Sequence, residues 1–230
     1  MILLVGASGV LGSEIYSELV NRNERVVGVG RTKPKIFLDK DPFFRLDLNN
    51  GLDTQSFFED LMSEYCITGV VYNSAYTITS KSLLDIKEED IDKMLKVNVL
   101  GYTSLMAAIE KSKVDANRRR LVYVSSNSLQ TLNASNPFYI ASKASGETIT
   151  KVFAKKYGNL VTANVVRPGL MLSKLTEERF ADSMEEIEKL TPLGRLITPQ
   201  EVAEIVCYLL CDSPPALTGQ LIAVDGGRSL

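Results

Sequence analysis

The feature that most restricts this chain is a repeated alternation between short apolar runs and longer stretches of helical periodicity. The runs are Ile2 to Val5, Arg25 to Val29, Gly69 to Tyr72, Leu121 to Val124, Leu160 to Val166 and Leu221 to Val224. Apolar residues follow one another in them without an in-out polar rhythm, the pattern of strands covered on both faces. Between the runs lie helical segments: Val10 to Asn21, Asp53 to Tyr65, Lys87 to Lys111, Pro137 to Tyr157 and Pro199 to Leu210. Parallel strands cannot be joined by a tight turn and need a crossover of that kind. Pro137 and Pro199 stand at first helical positions, where a missing N–H costs nothing, and Asn136 and Thr198 before them are good N-caps. The expected fold class is therefore α/β, a doubly wound parallel sheet of about seven strands with helices on both faces.

Of 230 residues 45% are apolar, enough for a buried core. No repeat, low-complexity tract or Pro/Gly-rich linker divides the chain, so residues 1–230 read as one domain. Twenty-six basic against 28 acidic side chains leave a formal charge of −2, without the basic footprint that grips nucleic acid or anionic lipid. A small molecule is the expected partner, and no nucleic acid or membrane. No apolar run approaches the ~18 residues of a membrane span. Met1 leads straight into Ile2 to Val5 with no basic leader, so a cytoplasmic location is expected. The cysteines Cys66, Cys207 and Cys211 form no C-x-x-C pair; Cys207 and Cys211, four apart in an apolar helical stretch, read as core packing. The charge run Arg118-Arg119-Arg120 reads as a solvated loop. Histidine is absent, which removes Ser-His-Asp and Cys-His nucleophile systems and H-E-x-x-H zinc sites. No metal is expected, and acid–base chemistry must come from carboxylate, lysine, tyrosine or cysteine.

The first strand runs into Gly6-Ala7-Ser8-Gly9-Val10-Leu11-Gly12 and then a helix. Glycines stand where the chain turns tightly and where a pyrophosphate could approach the backbone at a helix N-terminus, so a dinucleotide is the expected cofactor. The second strand leads into Gly30-Arg31-Thr32, with no Asp or Glu from Gly28 to Thr32 to hold a ribose 2′-hydroxyl. A guanidinium there suits a 2′-phosphate, which makes NADP the preferred cofactor over NAD. Tyr139 and Lys143, four apart at a helix start, share one face, and an ammonium beside a phenol lowers the cost of forming phenolate. That spacing occurs readily by chance and means little without its surroundings.

The surroundings resemble those of the short-chain dehydrogenase/reductase family, in its single-domain Rossmann-fold branch, over nearly all of the chain. Gly6 to Gly12 is similar to that family's cofactor loop, Leu46-Asp47-Leu48 to its adenine-contacting segment, and Asn73-Ser74-Ala75 to its Asn-Asn-Ala-Gly strand end. Val97 to Gly101 resembles the helix carrying the catalytic Asn, here Asn98. Ser125-Ser126 lies thirteen residues ahead of Tyr139, and Tyr139-Ile140-Ala141-Ser142-Lys143 matches the Tyr-x-x-Ser-Lys signature. Arg167-Pro168-Gly169 with Ser173 resembles the nicotinamide-side segment, and the stretch from Pro199 through Asp225-Gly226-Gly227 is also typical. Two departures stand out: Val10 where most of this branch has Gly, and Tyr76 where the strand-end motif ends in Gly, so that a bulky side chain borders the substrate mouth.

The resemblance implies reversible hydride transfer between nicotinamide and a carbonyl or alcohol carbon. Tyr139 would be the proton donor and acceptor, Lys143 would hold the nicotinamide ribose and support the tyrosinate, Ser126 would bind the substrate oxygen, and Asn98 would fix a water linking Lys143 to solvent. Cofactor contacts would come from Gly6, Ser8, Gly9, Leu11, Gly12, Arg31, Thr32, Asp47, Leu48, Asn73, Ser74, Ala75, Tyr139, Lys143, Pro168, Gly169, Met171 and Ser173. It further implies a homodimer or homotetramer joined through the helices Lys87 to Lys111 and Pro137 to Tyr157. Residues 172–193 would form a lid whose helix exposes Glu177, Glu178, Glu185 and Glu186 and turns Phe180, Met184 and Ile187 inward. A polar rim of Asn127, Gln130, Asn133, Ser135 and Asn136 favours a small hydroxylated substrate. Two alternatives stay open: a sugar-modifying epimerase or dehydratase, raised by the glycine spacing, and a non-catalytic NADPH-sensing regulator.

Overall fold

A computed structural model of the chain describes residues 1–50, 53–78, 83–112, 119–132 and 136–230, with Leu83, Leu175 and Arg179 described by backbone only. Seven strands, β1 (Ile2–Val5), β2 (Val26–Gly30), β3 (Phe43–Arg45), β4 (Gly69–Tyr72), β5 (Arg119–Val124), β6 (Val161–Pro168) and β7 (Leu221–Val224), form one sheet in the order β3-β2-β1-β4-β5-β6-β7. Every neighbouring pair is parallel. The order reverses direction between β1 and β4, which leaves a crevice at their C-terminal ends.

The connecting helices are α1 (Val10–Asn21), α2 (Thr54–Glu64), α3 (Glu88–Met94), α4 (Gly101–Lys111), α5 (Ser128–Thr131), α6 (Pro137–Tyr157), α7 (Lys174–Arg179), α8 (Met184–Lys189) and α9 (Pro199–Cys211). Because both faces of the sheet are covered, alternate residues of one strand feed two cores. Leu3, Val5, Val27 and Val70 point to the layer holding Phe58, Tyr102 and Leu105 from α2 and α4. Ile2, Leu4, Val71 and Val122 point to Ile15, Leu19, Val206 and Leu209 from α1 and α9. Thr198 and Glu201 close a capping box at the start of α9, where Pro199 occupies the first turn.

The six apolar runs all become strands, three with the expected ends and three with an end displaced by one or two residues. The seventh, β3, is a three-residue edge strand whose Phe43 and Phe44 are half-buried and whose Arg45 is exposed, too short and too open for a periodicity reading. Lys87 to Lys111 is not a uniform helix: a π-helical segment, Leu95–Leu100, joins α3 to α4. The arginine run is corrected as well. Arg119 and Arg120 belong to β5, and Arg119 is buried with its Nε donating to the Ile67 carbonyl at 2.9 Å; Arg118 lies outside the described residues. Cys207 is buried in α9, Cys211 half-buried and Cys66 exposed. Among the described residues no helix is long and apolar enough to cross a membrane, and no cluster of acidic and thiol ligands is arranged for a metal.

Candidate active site

At the crevice a cavity of about 360 Å³ is lined by Gly6, Ser8, Gly9, Gly30 and Arg31, by Leu46 through Asn49, by Asn73 through Tyr76, and by Lys93 and Val97. Gly6 has φ +90°, and a Cβ on Gly12 would lie 2.2 Å from the Gly6 carbonyl oxygen, so these two positions shape the turn. A Cβ on Gly9 would meet nothing nearer than 3.8 Å. Its bare backbone is therefore not required by the chain's own packing, and it faces the cavity at the N-cap of α1, where no side chain caps the free N–H groups. Open donors at the positive end of a helix fit a diphosphate. Leu11 lies instead in the core under the turn, as an anchor for α1.

The Ser8 hydroxyl donates to the Thr32 carbonyl at 2.6 Å and accepts the Thr32 N–H at 3.3 Å, locking the glycine turn to the end of β2. Arg31 is exposed at the cavity edge beside this lock. Asp47 is the one carboxylate lining the cavity, and its Oδ1 accepts the Asn49 N–H at 3.0 Å. Leu48 and Val97 contribute apolar lining. Asn73 donates from Nδ2 to the Gly6 carbonyl at 3.1 Å, bracing the turn, while Ser74 and Ala75 continue the wall.

The reactive corner is built at the start of α6. Asn136 caps the helix by accepting the Tyr139 N–H on Oδ1 at 3.0 Å, which fixes Tyr139 in the first turn. Its phenol hydrogen-bonds Ser126; burial pushes it up to about 12, against the pull of that bond. Ser126 Oγ also donates to Ser128 Oγ at 2.9 Å. Lys143, one turn further on, is 1% exposed. Its Nζ donates to the Val124 carbonyl at 2.7 Å and stands 5.0 Å from the Tyr123 ring centroid and 6.0 Å from that of Tyr139. Burial pushes its ammonium down to about 7, with Glu147 acting in the other direction. Phenol, hydroxyl and a readily titrated amine thus share one corner, the amine buried and the phenol and hydroxyl half-buried, able to exchange a proton with a bound ligand.

Asn98 is fully buried in the π segment. Its Oδ1 accepts the Tyr76 N–H at 2.7 Å, and its Nδ2 donates to the Tyr76 carbonyl at 2.9 Å and to Ser142 Oγ at 2.8 Å. The amide therefore ties the segment after β4 to the helix bearing Tyr139 and Lys143. Tyr76 differs from expectation: it lines the cavity beside the glycine turn, and its hydroxyl donates to Asp90 at 2.9 Å. Pro168 ends β6 and the Gly169 N–H donates to the Val224 carbonyl at 2.8 Å. Met171 bridges to Ile197, and Ser173 caps α7 by accepting the Thr176 N–H at 3.2 Å.

Residues 172–193 show the expected faces, with Glu177, Glu178, Glu185 and Glu186 exposed, Ile187 buried, and Phe180 and Met184 half-buried. The segment is broken into α7, a 3-10 turn and α8 rather than one helix. Two members of the expected polar rim have structural partners, and Gln130 is exposed. Asn127 is buried with its amide toward Asp225, and Asn136 is the α6 cap, with its Nδ2 donating to the Ile78 carbonyl at 2.7 Å; Asn133 and Ser135 lie outside the described residues. Sequence reasoning passed over Glu147, although its position four residues beyond Lys143 was the available signal. Ser126, Tyr139 and Lys143 line neither the 360 Å³ cavity nor a larger hollow of about 690 Å³ at the opposite end of the sheet, lined by Glu59, Lys111 and Arg119 among others.

A family profile described as enoyl-(acyl carrier protein) reductase matches residues 20–229. The chain is 30% identical over 188 residues to 3-oxoacyl-[acyl-carrier-protein] reductase of Thermotoga maritima, covering 81% of this chain and 76% of that protein. A short-chain dehydrogenase family protein of Francisella tularensis superposes with a TM-score of 0.88 at 26% identity, covering 99% of this chain and 98% of the other. A putative NAD(P)-dependent gluconate 5-dehydrogenase of Beutenbergia cavernae superposes with a TM-score of 0.90 at 22% identity, covering 99% and 95%, and so shares the fold.

Proposed function

The chain belongs to the short-chain dehydrogenase/reductase family, NAD(P)-dependent enzymes acting on carbonyl and hydroxyl groups, and from that premise we propose an NADPH-dependent reductase of a small polar ketone. The observation that carries this reading is the meeting of Ser126, Tyr139 and Lys143 at one corner, with the Tyr139 phenol bonded to Ser126 and the buried Lys143 Nζ 6.0 Å from its ring. When bound, the nicotinamide dinucleotide supplies the hydride. Gly6, Ser8, Gly9 and Gly12 hold its diphosphate, Arg31 and Thr32 the 2′-phosphate, Asp47 and Leu48 the adenine, and Asn73 to Ala75 with Pro168, Gly169, Met171 and Ser173 the remainder. Ser126 orients the substrate oxygen, Tyr139 gives it a proton, and the Lys143 ammonium supports the phenolate left behind and holds the nicotinamide ribose. Asn98 completes the site by bracing Tyr76 and Ser142, with a water between Lys143 and solvent beside it. Residues 172–193 serve as the lid of a single domain.

The enzyme works in the cytoplasm as a homodimer or homotetramer, a reading supported by the exposed Leu95, Leu100 and Val152 on the π segment and α6. The Thermotoga relative is named for a 3-oxoacyl-[acyl-carrier-protein] substrate, which makes a β-keto carbonyl the first candidate beside keto-sugars. The test is NADPH oxidation across oxoacyl thioesters, keto-sugars and simple ketones; no turnover with any of the three classes overturns the proposal. With the substrate in hand, Tyr139→Phe lowers kcat by ~10³-fold while fluorescence titration shows NADPH affinity within about threefold. Arg31→Asp shifts the NADPH/NADH ratio of kcat/KM by ~10²-fold toward NADH, and an unchanged ratio removes Arg31 from the 2′-phosphate site.

A further inference from the structure

Glu147 stands one helical turn beyond Lys143 on the same face of α6 and is 5% exposed. Three donors hold its carboxylate. Ser125 Oγ donates to Oε1 at 2.6 Å, Arg167 Nε donates to Oε1 at 2.7 Å, and Arg167 Nη2 donates to Oε2 at 2.5 Å. The bidentate fork fixes the carboxylate in orientation as well as position. Both partners adjoin the reactive corner: Ser125 lies between Val124, whose carbonyl receives Lys143, and Ser126, while Arg167 immediately precedes Pro168 and Gly169. One side chain of α6 is thus bonded to the ends of β5 and β6 where the site is assembled.

The electrostatic setting of Lys143 is sparse. On α6 it is faced by Tyr139 and Glu147; on β5 by the ring of Tyr123; behind that ring stand Tyr72 of β4 and Tyr102 of α4. Arg167 of β6 is the nearby cation, turned into the Glu147 carboxylate. Those tyrosines are held far above their ordinary range by burial and carry no charge near neutrality. Glu147 therefore contributes the negative charge in this setting, and it opposes the loss of the Lys143 proton that burial promotes.

We propose that Glu147 is a positioning residue whose clamped carboxylate sustains the charge on Lys143, with Arg167 limiting that support. The inference deepens the catalytic reading above and rests on it for its functional meaning, but its physical content is tested without turnover. Lysines labelled with ¹³C at Cε are titrated by NMR in the full-length protein, the Lys143 signal being assigned by its loss in Lys143→Met. Glu147→Gln, which keeps the shape and removes the charge, lowers the Lys143 midpoint by about one pH unit. Arg167→Met, which leaves the carboxylate unopposed, raises it. Opposite displacements are not produced by a purely structural ion pair, which would move both variants the same way or neither. An unmoved or raised midpoint in Glu147→Gln overturns the proposal whether or not the protein reduces ketones; should Glu147→Gln fail to fold, an unmoved or lowered midpoint in Arg167→Met does so. If the reductase reading holds as well, the alkaline fall in kcat moves to lower pH in Glu147→Gln, giving a ~10-fold loss at pH 8 and less than about threefold at pH 6.

Discussion

The two faces of the sheet differ in how they treat buried polarity. Under α1 and α9 the notable polar pair is closed: the Tyr16 hydroxyl donates to Asp41 at 2.9 Å and accepts the Leu38 N–H at 2.8 Å, with Asp41 also taking the Val26 N–H. Under α4 and α6 the balance is open. The Tyr123 hydroxyl is buried with no partner among the described residues, and the Lys143 ammonium sits in the same layer. The other such atom is one nitrogen of the half-buried Arg120, at the opposite end of β5. Buried polar groups are normally satisfied, so an orphaned hydroxyl beside a buried cation marks where packing has been subordinated to another demand. Here that demand coincides with the proposed proton-transfer corner, whereas the α1/α9 face serves stability.

The sharpest way to break this contrast is Lys143→Met. Turnover falls by ~10³-fold, yet the fold gains on the order of 3 kcal/mol at pH 6, because a cation pushed from 10.5 down to about 7 by burial opposes folding while it is charged. The sign follows from proton counting. Between pH 7 and 10.5 the unfolded chain binds the proton that the folded chain has released, so wild-type stability rises with pH across that window. The advantage of the variant shrinks accordingly. Thermal melts at pH 6 and pH 10 check this, and a variant less stable at pH 6 would contradict it.

On the opposite face, Ile15→Ala in α1, fully buried against α9, costs about 3 kcal/mol by denaturant titration and leaves kcat at 25 °C unchanged. A kcat loss comparable to that of a site variant would erase the division of labour. The finest test is Tyr123→Phe. Deleting a hydroxyl without a partner leaves stability unchanged or raises it by up to about 1 kcal/mol, since no hydrogen bond is lost and a desolvated polar atom is removed.

How far the sequence went follows the same physics. The α6 start was legible because Asn136, Pro137, Tyr139 and Lys143 are local signals, a cap and a helical repeat, and all four stand where the pattern puts them. The six long strands were legible from their apolar runs. Edge strand β3 was not, because three residues with an exposed arginine carry no period. The π turn at Asn98 was hidden because one extra residue per turn over six positions does not disturb the apolar stripe. Arg119 and Arg120 misled because charge argues for solvent, while the Ile67 carbonyl that receives Arg119 is 52 residues distant in sequence. Two rim asparagines misled in the reverse sense: Asn127 is turned to the Asp225 carboxylate and Asn136 caps the backbone of α6. Long-range partners decide such positions, and a local pattern does not contain them.

A chain without imidazole offers a clean calorimetric background. In most enzymes, heat exchanged with the buffer when a coenzyme docks near neutrality is shared among several histidines. Here, comparing binding enthalpies in buffers of different ionisation heat would count protons exchanged without an imidazole contribution, the buried Lys143 amine, pushed down to about 7, being one site that takes them up. Any coupling between coenzyme docking and charging of the proposed proton-transfer corner then becomes readable from the wild-type protein, with no substitution at all.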